Sequence, residues 1–411
     1  MTEPSSLYAG QAEIDLSAFA KNLAALQAHA PQAEPLAIVK ADAYGHEAKL
    51  IAKAAWDQGV RWLGQAQVQE ALNLHAYFDQ IGLPSCHEAN GPRIFTWIFP
   101  SGANGVKARK AAIAAGLDIS VSNTFELDEL LLAYHDLLAE DEATKKPARV
   151  HLKIDVGNSR AGATKEHWPE LVAATKAAVE TGIVSLEGIW SHLQSADDPA
   201  PEAIAETNQQ IDNFEAAIEV AKAAGLSPVR RHLSATSGGL WHPRAHFDMI
   251  RWGIGLYGYS PNPAHPGSPT DLTPVMTLAA PLMSVKQIPA GQGVSYNATW
   301  RAERATWVGL VPLGYADGIS RLQSNTAWVT VYHEGEAIPA RIIGRVCMDQ
   351  FMIDLGHGEQ PRAARGDRVV LFGGEQKAAN ADDWAKTAQT ISYEILTSIG
   401  ARVPRVPTLT K

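Results

Sequence analysis

Two cysteines, Cys86 and Cys347, are all that a chain of 411 residues contains. That scarcity excludes a disulfide framework, and no Cys/His spacing of the zinc-binding kind accompanies it, so no metal site is expected. Basic charge is short as well: 35 Lys and Arg against 44 Asp and Glu leave a net charge of −9. With no basic stripe to meet a phosphate backbone or an anionic headgroup, nucleic acid and membrane surfaces drop out as partners. No run approaches the ~18 apolar residues of a membrane span. The opening MTEPSSLYAGQAEIDLSAF lacks the basic start and apolar centre of a signal peptide. Small-molecule chemistry in a reducing cytoplasm is what these absences leave.

What the chain does have is 46% hydrophobic residues, enough for sizeable cores, over a length that exceeds one core. Short apolar or β-branched runs alternate with longer stretches of helical period through its first two-thirds. Eight candidate strands stand out: LAIVK (36–40), WLGQAQ (62–67), RIFTWIF (93–99), DISVSN (118–123), VHLKID (150–155), SLEGIWSH (185–192), RRHLSA (230–235) and MIRWGIGLYG (249–258). Asn123 or Thr124 is a capping residue for the helix after the fourth. Eight strands with intervening helices in roughly 250 residues match a (β/α)8 TIM barrel, a doubly wound open sheet being the other arrangement that the alternation allows.

After Gly258 the texture changes. Ser260 to Pro274 is dense in proline and glycine and reads as a linker. Beyond it, TWVGLVPLG, AWVTVYHEGEAIPARIIGRV and FMIDLG alternate apolar with polar residues, as antiparallel sheet does. The expected organisation is an α/β barrel over residues 14–262 and a β-rich C-terminal domain over 274–411, with residues 1–13 free to pack with the latter.

Barrels carry their chemistry at the C-terminal edge of the strands. Lys40 closes the first candidate strand, Arg160 follows the fifth, His192 closes the sixth, Thr236 and Ser237 follow the seventh, and Arg251 and Gly253 lie in the eighth. The loops SATSGGLW and RWGIGLYG supply hydroxyls and glycines that let backbone N–H groups approach a phosphate. A lysine across the same mouth suggests a phosphorylated aldehyde held as a Schiff base, of which pyridoxal phosphate is the commonest. Each residue also has a plainer reading. A strand-end lysine is usually just exposed, His192 alone would more often be structural, and Tyr296 alone would be a sheet tyrosine with a bonded hydroxyl. Arg251 in an apolar strand is harder to dismiss, since a buried guanidinium requires acceptors.

The motifs VKADAYGH, HLKIDVGNSRAG, SHLQSADD, HLSATSGG, IRWGIGLYG, GVSYNATW, PLGYADGISR, RVCMDQFMIDL and RVPR follow one another between residues 36 and 405. In that order they resemble the alanine racemases, which depend on pyridoxal 5'-phosphate. VKADAYGH and GVSYNATW are specific to that resemblance, and the glycine-rich motifs support it.

The resemblance implies that Lys40 binds the cofactor and is one of two catalytic bases, with Tyr296 the other on the opposite face. A proton can then leave one face of the α-carbon and return on the other. It also implies that Arg251 faces the pyridine nitrogen and His192 relays polarity toward the tyrosine. Tyr44, Thr236, Gly253 and Ile254 would hold the phosphate; Arg160 and the N–H of Met348 would anchor the substrate carboxylate; Lys153 stands at the position of a carbamylated lysine. A homodimer with shared active sites follows, each β domain covering its partner's barrel and Tyr315 standing at the entrance. The implied function is interconversion of L- and D-alanine, supplying D-alanine for peptidoglycan.

A broad-specificity amino-acid racemase, a decarboxylase on a related scaffold and a non-catalytic carrier of the cofactor are the rival readings. This chain also departs from the family pattern. It has Val156 in place of the usual threonine, and Ala235 and Thr236 in place of Asn-Ser. Ala401 replaces a tyrosine before RVPR, from which a wider entrance and one phosphate donor fewer are expected.

Overall fold

Strand β1 (Gln11–Asp15) stands apart from the eight strands that follow it. These are β2 (Glu34–Ile38), β3 (Trp62–Gln67), β4 (Arg93–Ile98), β5 (Asp118–Val121), β6 (Ala148–Lys153), β7 (Val184–Trp190), β8 (Arg230–His232) and β9 (Met249–Trp252). All pair in parallel, in the order β8-β7-β6-β5-β4-β3-β2-β9. The ring closes between β8 and β9, where the N–H of Arg251 donates to the Ser234 carbonyl and that of Asp248 to the Arg231 carbonyl, both at 3.1 Å. This computed structural model, which describes residues 7–140, 146–269 and 271–409, is therefore built on a (β/α)8 barrel and not on an open sheet.

The strands are shorter than the apolar runs that announce them. β2 stops at Ile38, so Lys40 lies beyond the strand. β9 stops at Trp252, because Ile254–Tyr257 winds into a 3-10 helix where GIGLYG reads as continued strand. The helices begin where local chemistry lets them. Asp15 accepts the N–H groups of Ser17 and Ala18 at 2.8 and 3.0 Å, opening Leu16–His29. Asn123 accepts the N–H of Glu126 at 2.8 Å, whose carboxylate takes the Ser122 N–H at 2.7 Å. Helix Pro201–Ala223 buries Ile211, Phe214, Ala217, Ile218 and Ala221, the three-and-four spacing of its sequence.

Beyond the barrel, the described residues form a nine-stranded sheet with β1 inside it, a separate two-stranded sheet and two short α-helices, Ala381–Ala388 and Ser392–Thr397. Met276–Pro281 pairs antiparallel with one edge of β1, and Arg405–Thr408 pairs parallel with the other. Residues 11–13, with the rest of β1, thus pair within this nine-stranded sheet, residues 7–10 lead into it, and residues 1–6 lie outside the described residues. Among the described residues no helix is long and apolar enough to cross a membrane.

Candidate active site

Lys40 opens a turn of unusual hand. Ala41, Asp42, Ala43 and Tyr44 all have φ between 52° and 55°, a left-handed conformation that costs a non-glycine residue roughly 1 to 2 kcal/mol. Its surroundings hold it there. The Ala41 N–H donates to Glu70 at 3.0 Å, and Asp42 accepts the Ala48 N–H at 2.8 Å. Gly45, at φ +80°, ends the turn 2.4 Å from the Leu396 carbonyl oxygen as measured from where a Cβ would stand, so a side chain has no room. The Gly45 carbonyl accepts from Arg405, in RVPR, at 2.8 Å. A segment strained in this way and fixed from both domains is the kind found at functional sites.

The turn delivers Lys40 into a cavity of about 530 Å³ at the C-terminal mouth of the barrel, shared with Tyr44, Lys153, Arg160, His192, Thr236, Arg251, Gly253 and Ile254. Nine sequence-predicted residues therefore stand in one place. Among the described residues the Lys40 amine has no hydrogen-bond or ion-pair partner. Burial, then the charges of Arg160 and Arg251, pull its pKa below 10.5 against the opposite pull of Glu70, which favours the nucleophilic free amine.

One wall is a cradle for an anion. Thr236 begins the short helix Thr236–Trp241, and its hydroxyl accepts the Gly253 N–H at 2.9 Å. A Cβ on Gly253 would stand 2.7 Å from the Tyr44 hydroxyl, so glycine keeps the backbone reachable. The Tyr44 ring packs on Tyr257 at 4.7 Å and on Tyr393 at 5.9 Å. Tyr393 lines the same cavity and is a residue that the sequence reading missed. It comes from helix Ser392–Thr397 of the second domain, far along the chain from every barrel strand. Its only signal in the sequence was its place nine residues before RVPR. Tyr393 brings a phenol to this wall, where Ala401 suggested a lost donor; Ala401 itself is exposed and outside the cavity.

Opposite the cradle, Arg251 is 4% exposed, and no carboxylate touches it among the described residues. Its Nη1 donates to the His232 carbonyl at 2.8 Å, and its Nη2 to the carbonyls of Ser191 at 2.7 Å and Leu233 at 3.0 Å. Nη2 also lies 3.3 Å from Nδ1 of His192. Its Nε–H has no partner among the described residues. Burial, then the Arg160 charge, lower its pKa to about 9, so it stays cationic at neutral pH. Lys153 is 6% exposed, and its Nζ lies 4.2 Å from the centroid of Trp190, over which Arg251 also lies at 5.1 Å. Asp155 is turned to accept the N–H groups of Gly157 and Ser159 at 2.9 and 3.2 Å and acts on Lys153 through its charge alone, pulling its pKa upward with Glu126. Burial, then Arg251 and Arg160, pull Lys153 down to about 8.

Three predicted residues are not in this cavity. Tyr296, Met348 and Tyr315 are 69%, 53% and 44% exposed on the second domain. Their loops are tied together: the Ser295 hydroxyl donates to the Arg345 carbonyl at 2.7 Å, and the N–H of Tyr315 to the Cys347 carbonyl at 2.9 Å. Ser295, Asn297 and Ala298 around Tyr296 have φ of 61°, 63° and 45°, strain of the kind seen at Lys40.

A cationic barrel mouth with a lysine and an anion cradle, followed by a β domain, can be set against known proteins. Residues 14–261 match the family model for the alanine racemase N-terminal domain, and residues 275–407 match that for the C-terminal domain. The chain belongs to the alanine racemase family. An alanine racemase of Streptomyces coelicolor is 43% identical over 400 residues, covering 96% of this chain and 95% of the relative. One from Beutenbergia cavernae is 42% identical, covering 97% and 98%. The crystal structure of alanine racemase from D-cycloserine-producing Streptomyces lavendulae superposes with a TM-score of 0.86 at 39% identity, covering 99% of each chain. That from Bacillus anthracis with bound L-Ala-P superposes at 0.83 and 28% identity, over 98% of this chain and 96% of that one. Both domains of the alanine racemase family are thus matched.

Proposed function

We propose that the chain interconverts L- and D-alanine by a two-base reaction that uses pyridoxal phosphate, supplying D-alanine for peptidoglycan in the cytoplasm. The observation that carries this is one cavity lined both by the amine of Lys40, without a hydrogen-bond or ion-pair partner among the described residues, and by Arg251, a buried cation bonded among those residues only to carbonyls and imidazole. Cations without carboxylates call for an anionic ligand, and the cradle at Thr236 and Gly253 suits its phosphate. The residues present therefore fit the cofactor.

Lys40 would hold its aldehyde carbon, Tyr44, Tyr393, Thr236 and the N–H groups of Gly253 and Ile254 its phosphate, and Arg251 its pyridine nitrogen. When bound, pyridoxal phosphate supplies an electron sink that acidifies the α-proton of the amino acid. The Nε–H of Arg251 is its free donor, and because a guanidinium keeps its proton, Arg251 would hold a ring nitrogen there without protonating it. Arg160 and the Met348 N–H hold the substrate carboxylate. Lys40 moves the proton on one face. The partner subunit's Tyr296 moves it on the other, in a homodimer whose β domains each cover the opposite barrel. His192, accepting from Arg251, keeps its Nε2–H for the tyrosine side. Lys153, carbamylated, would become an anion between Arg160 and Arg251. The exposure of Tyr296, Tyr315 and Met348 supports the shared site, and the match to both family domains stands against a barrel-only carrier.

The test is racemisation of L-alanine by the pure, cofactor-loaded protein, read by chiral chromatography, together with borohydride reduction and peptide mapping. D-alanine should form, and the reduced cofactor should sit on Lys40. Label on another lysine, or no D-alanine from a protein with full cofactor content, would overturn the reading.

A further inference from the structure

Two histidines fill the barrel below Arg251, and neither touches the cavity. His151, on β6, and His232, on β8, are both 0% exposed, as is Asp118 on β5. Nδ1 of His151 lies 2.9 Å from Nε2 of His232, and Nε2 of His151 lies 3.3 Å from Asp118. On the other side of the pair, Nδ1 of His232 lies 3.3 Å from Nη1 of Arg251. A continuous file of hydrogen bonds thus runs from a carboxylate inside the barrel to the cation at its mouth.

The two ends decide where the protons are. A guanidinium has only donors, so Nδ1 of His232 accepts and its proton stands on Nε2. That proton goes to Nδ1 of His151, which then carries its own on Nε2, and this donates to the carboxylate, which has only acceptors. One arrangement satisfies every bond with both rings neutral, and burial disfavours protonation of either ring. Asp118 is kept ionised by other partners: Arg93 donates to it through Nε at 2.8 Å, and Arg149 stands 3.3 Å away. Arg93 in turn pairs with Glu187 at 2.9 Å.

The backbone makes room for this file. Pairing of β6 with β7 shifts register between Val150 and His151, a bulge of the kind that re-aims a side chain. Opposite His151 stands Gly188, where a Cβ would be 2.4 Å from Nδ1 of the imidazole. A bulge and a glycine inside a barrel strand both weaken the sheet, and here both serve the position of one ring.

We propose that Asp118, His151 and His232 are positioning residues for the racemase reaction, a relay that makes Asp118 the remote counter-ion of Arg251 and fixes the direction of its guanidinium. The proposal rests on the reading that Arg251 faces the cofactor's pyridine nitrogen. Hydrogen-bonded groups in series polarise one another, so the carboxylate acts on Arg251 through two neutral rings without entering the cavity. A direct carboxylate at Arg251 would compete with the ligand for its free Nε–H; a distant one leaves it available.

The experiment has two arms, with wild-type racemisation as the control for the underlying reading: its absence would count against that reading and not against the relay. In the first, long-range ¹H–¹⁵N correlation on [¹⁵N]histidine-labelled holoenzyme reads the ring protons. Both rings should carry a single proton on Nε2. A proton on Nδ1 of either ring would overturn the relay. In the second, His151→Phe puts an apolar ring among Phe95 and Trp62, which already surround the imidazole at 4.8 and 5.7 Å. This cuts Asp118 from His232 while leaving every cavity residue in place. The expected result is kcat lowered roughly tenfold, as for lost outer-shell partners, with KM for alanine unchanged and the absorption maximum of the bound cofactor displaced. A folded His151→Phe protein with wild-type kcat and spectrum would overturn the relay.

Discussion

Arg251 and His192 meet at 3.3 Å, guanidinium Nη2 to imidazole Nδ1. Since the guanidinium can only donate, the imidazole is an acceptor there and neutral. Burial, then the charges of Arg251, Arg160, Lys153 and Lys40, hold its pKa well below 6.5. His46, lowered to about 4, and His151 and His232 shift the same way, with burial the leading cause.

These depressed histidines make stability depend on pH. Above pH 6.5, the ordinary value, folded and unfolded chains are both neutral at these rings and full stability is present. As pH falls below it, the unfolded chain takes up protons that the folded chain refuses, and stability is lost until the folded pKa is passed. Each histidine contributes up to about 1.4 kcal/mol per pH unit within its window. The urea midpoint should therefore drop clearly between about pH 7 and about pH 5. A flat profile there would mean that these rings are protonated in the folded protein.

Gly253→Ala should damage cofactor binding selectively. The new methyl would stand 2.7 Å from the Tyr44 hydroxyl and 3.8 Å from that of Thr236. Overpacking of this kind costs roughly 1 to 3 kcal/mol, so the dissociation constant for pyridoxal phosphate should rise about tenfold or more. Titration of the apoenzyme followed by absorbance measures it, and unchanged affinity would remove Gly253 from the cradle.

Lys153, with its pKa near 8 and, among the described residues, no carboxylate within ion-pair distance, has the free amine that attacks carbon dioxide and loses a proton to give the carbamate. Labelled bicarbonate should produce a carbamate carbon resonance that Lys153→Ala abolishes. Exhaustive removal of carbon dioxide should lower activity reversibly. A spectrum identical in the wild type and Lys153→Ala would leave Lys153 an ordinary buried amine.

Subunits carrying Lys40→Ala and subunits carrying Tyr296→Phe should each be nearly inactive, and mixing them should restore activity. If sites are shared, a mixed dimer has one doubly altered site and one intact site. If both residues served from one chain, no site in the mixture would be whole. Mixed dimers that form without recovering activity would remove the shared site.

The sequence by itself determined the eight strands, their order and their alternation with helices; that they close into a ring and not an open sheet was decided between β8 and β9. A parallel strand is buried on both faces, so it must be written as a short apolar run, and WLGQAQ or RIFTWIF shows as much without its neighbours. The same logic made Lys40 and Arg251 conspicuous, the one a charge closing an apolar run and the other a charge inside one. Packing decided the rest. That β1 leaves the barrel for a sheet with Met276–Pro281 follows from contacts between residues more than 250 positions apart, which no periodicity records. Tyr393 reaches Tyr44 for the same reason, the second domain folding back onto the turn that carries the lysine. Asp118, His151 and His232 stand on three different strands with nothing in the sequence to join them; only the closed barrel brings them into line. A hydrogen bond is formed by distance and direction in space, and residues on different strands acquire both only when the ring closes.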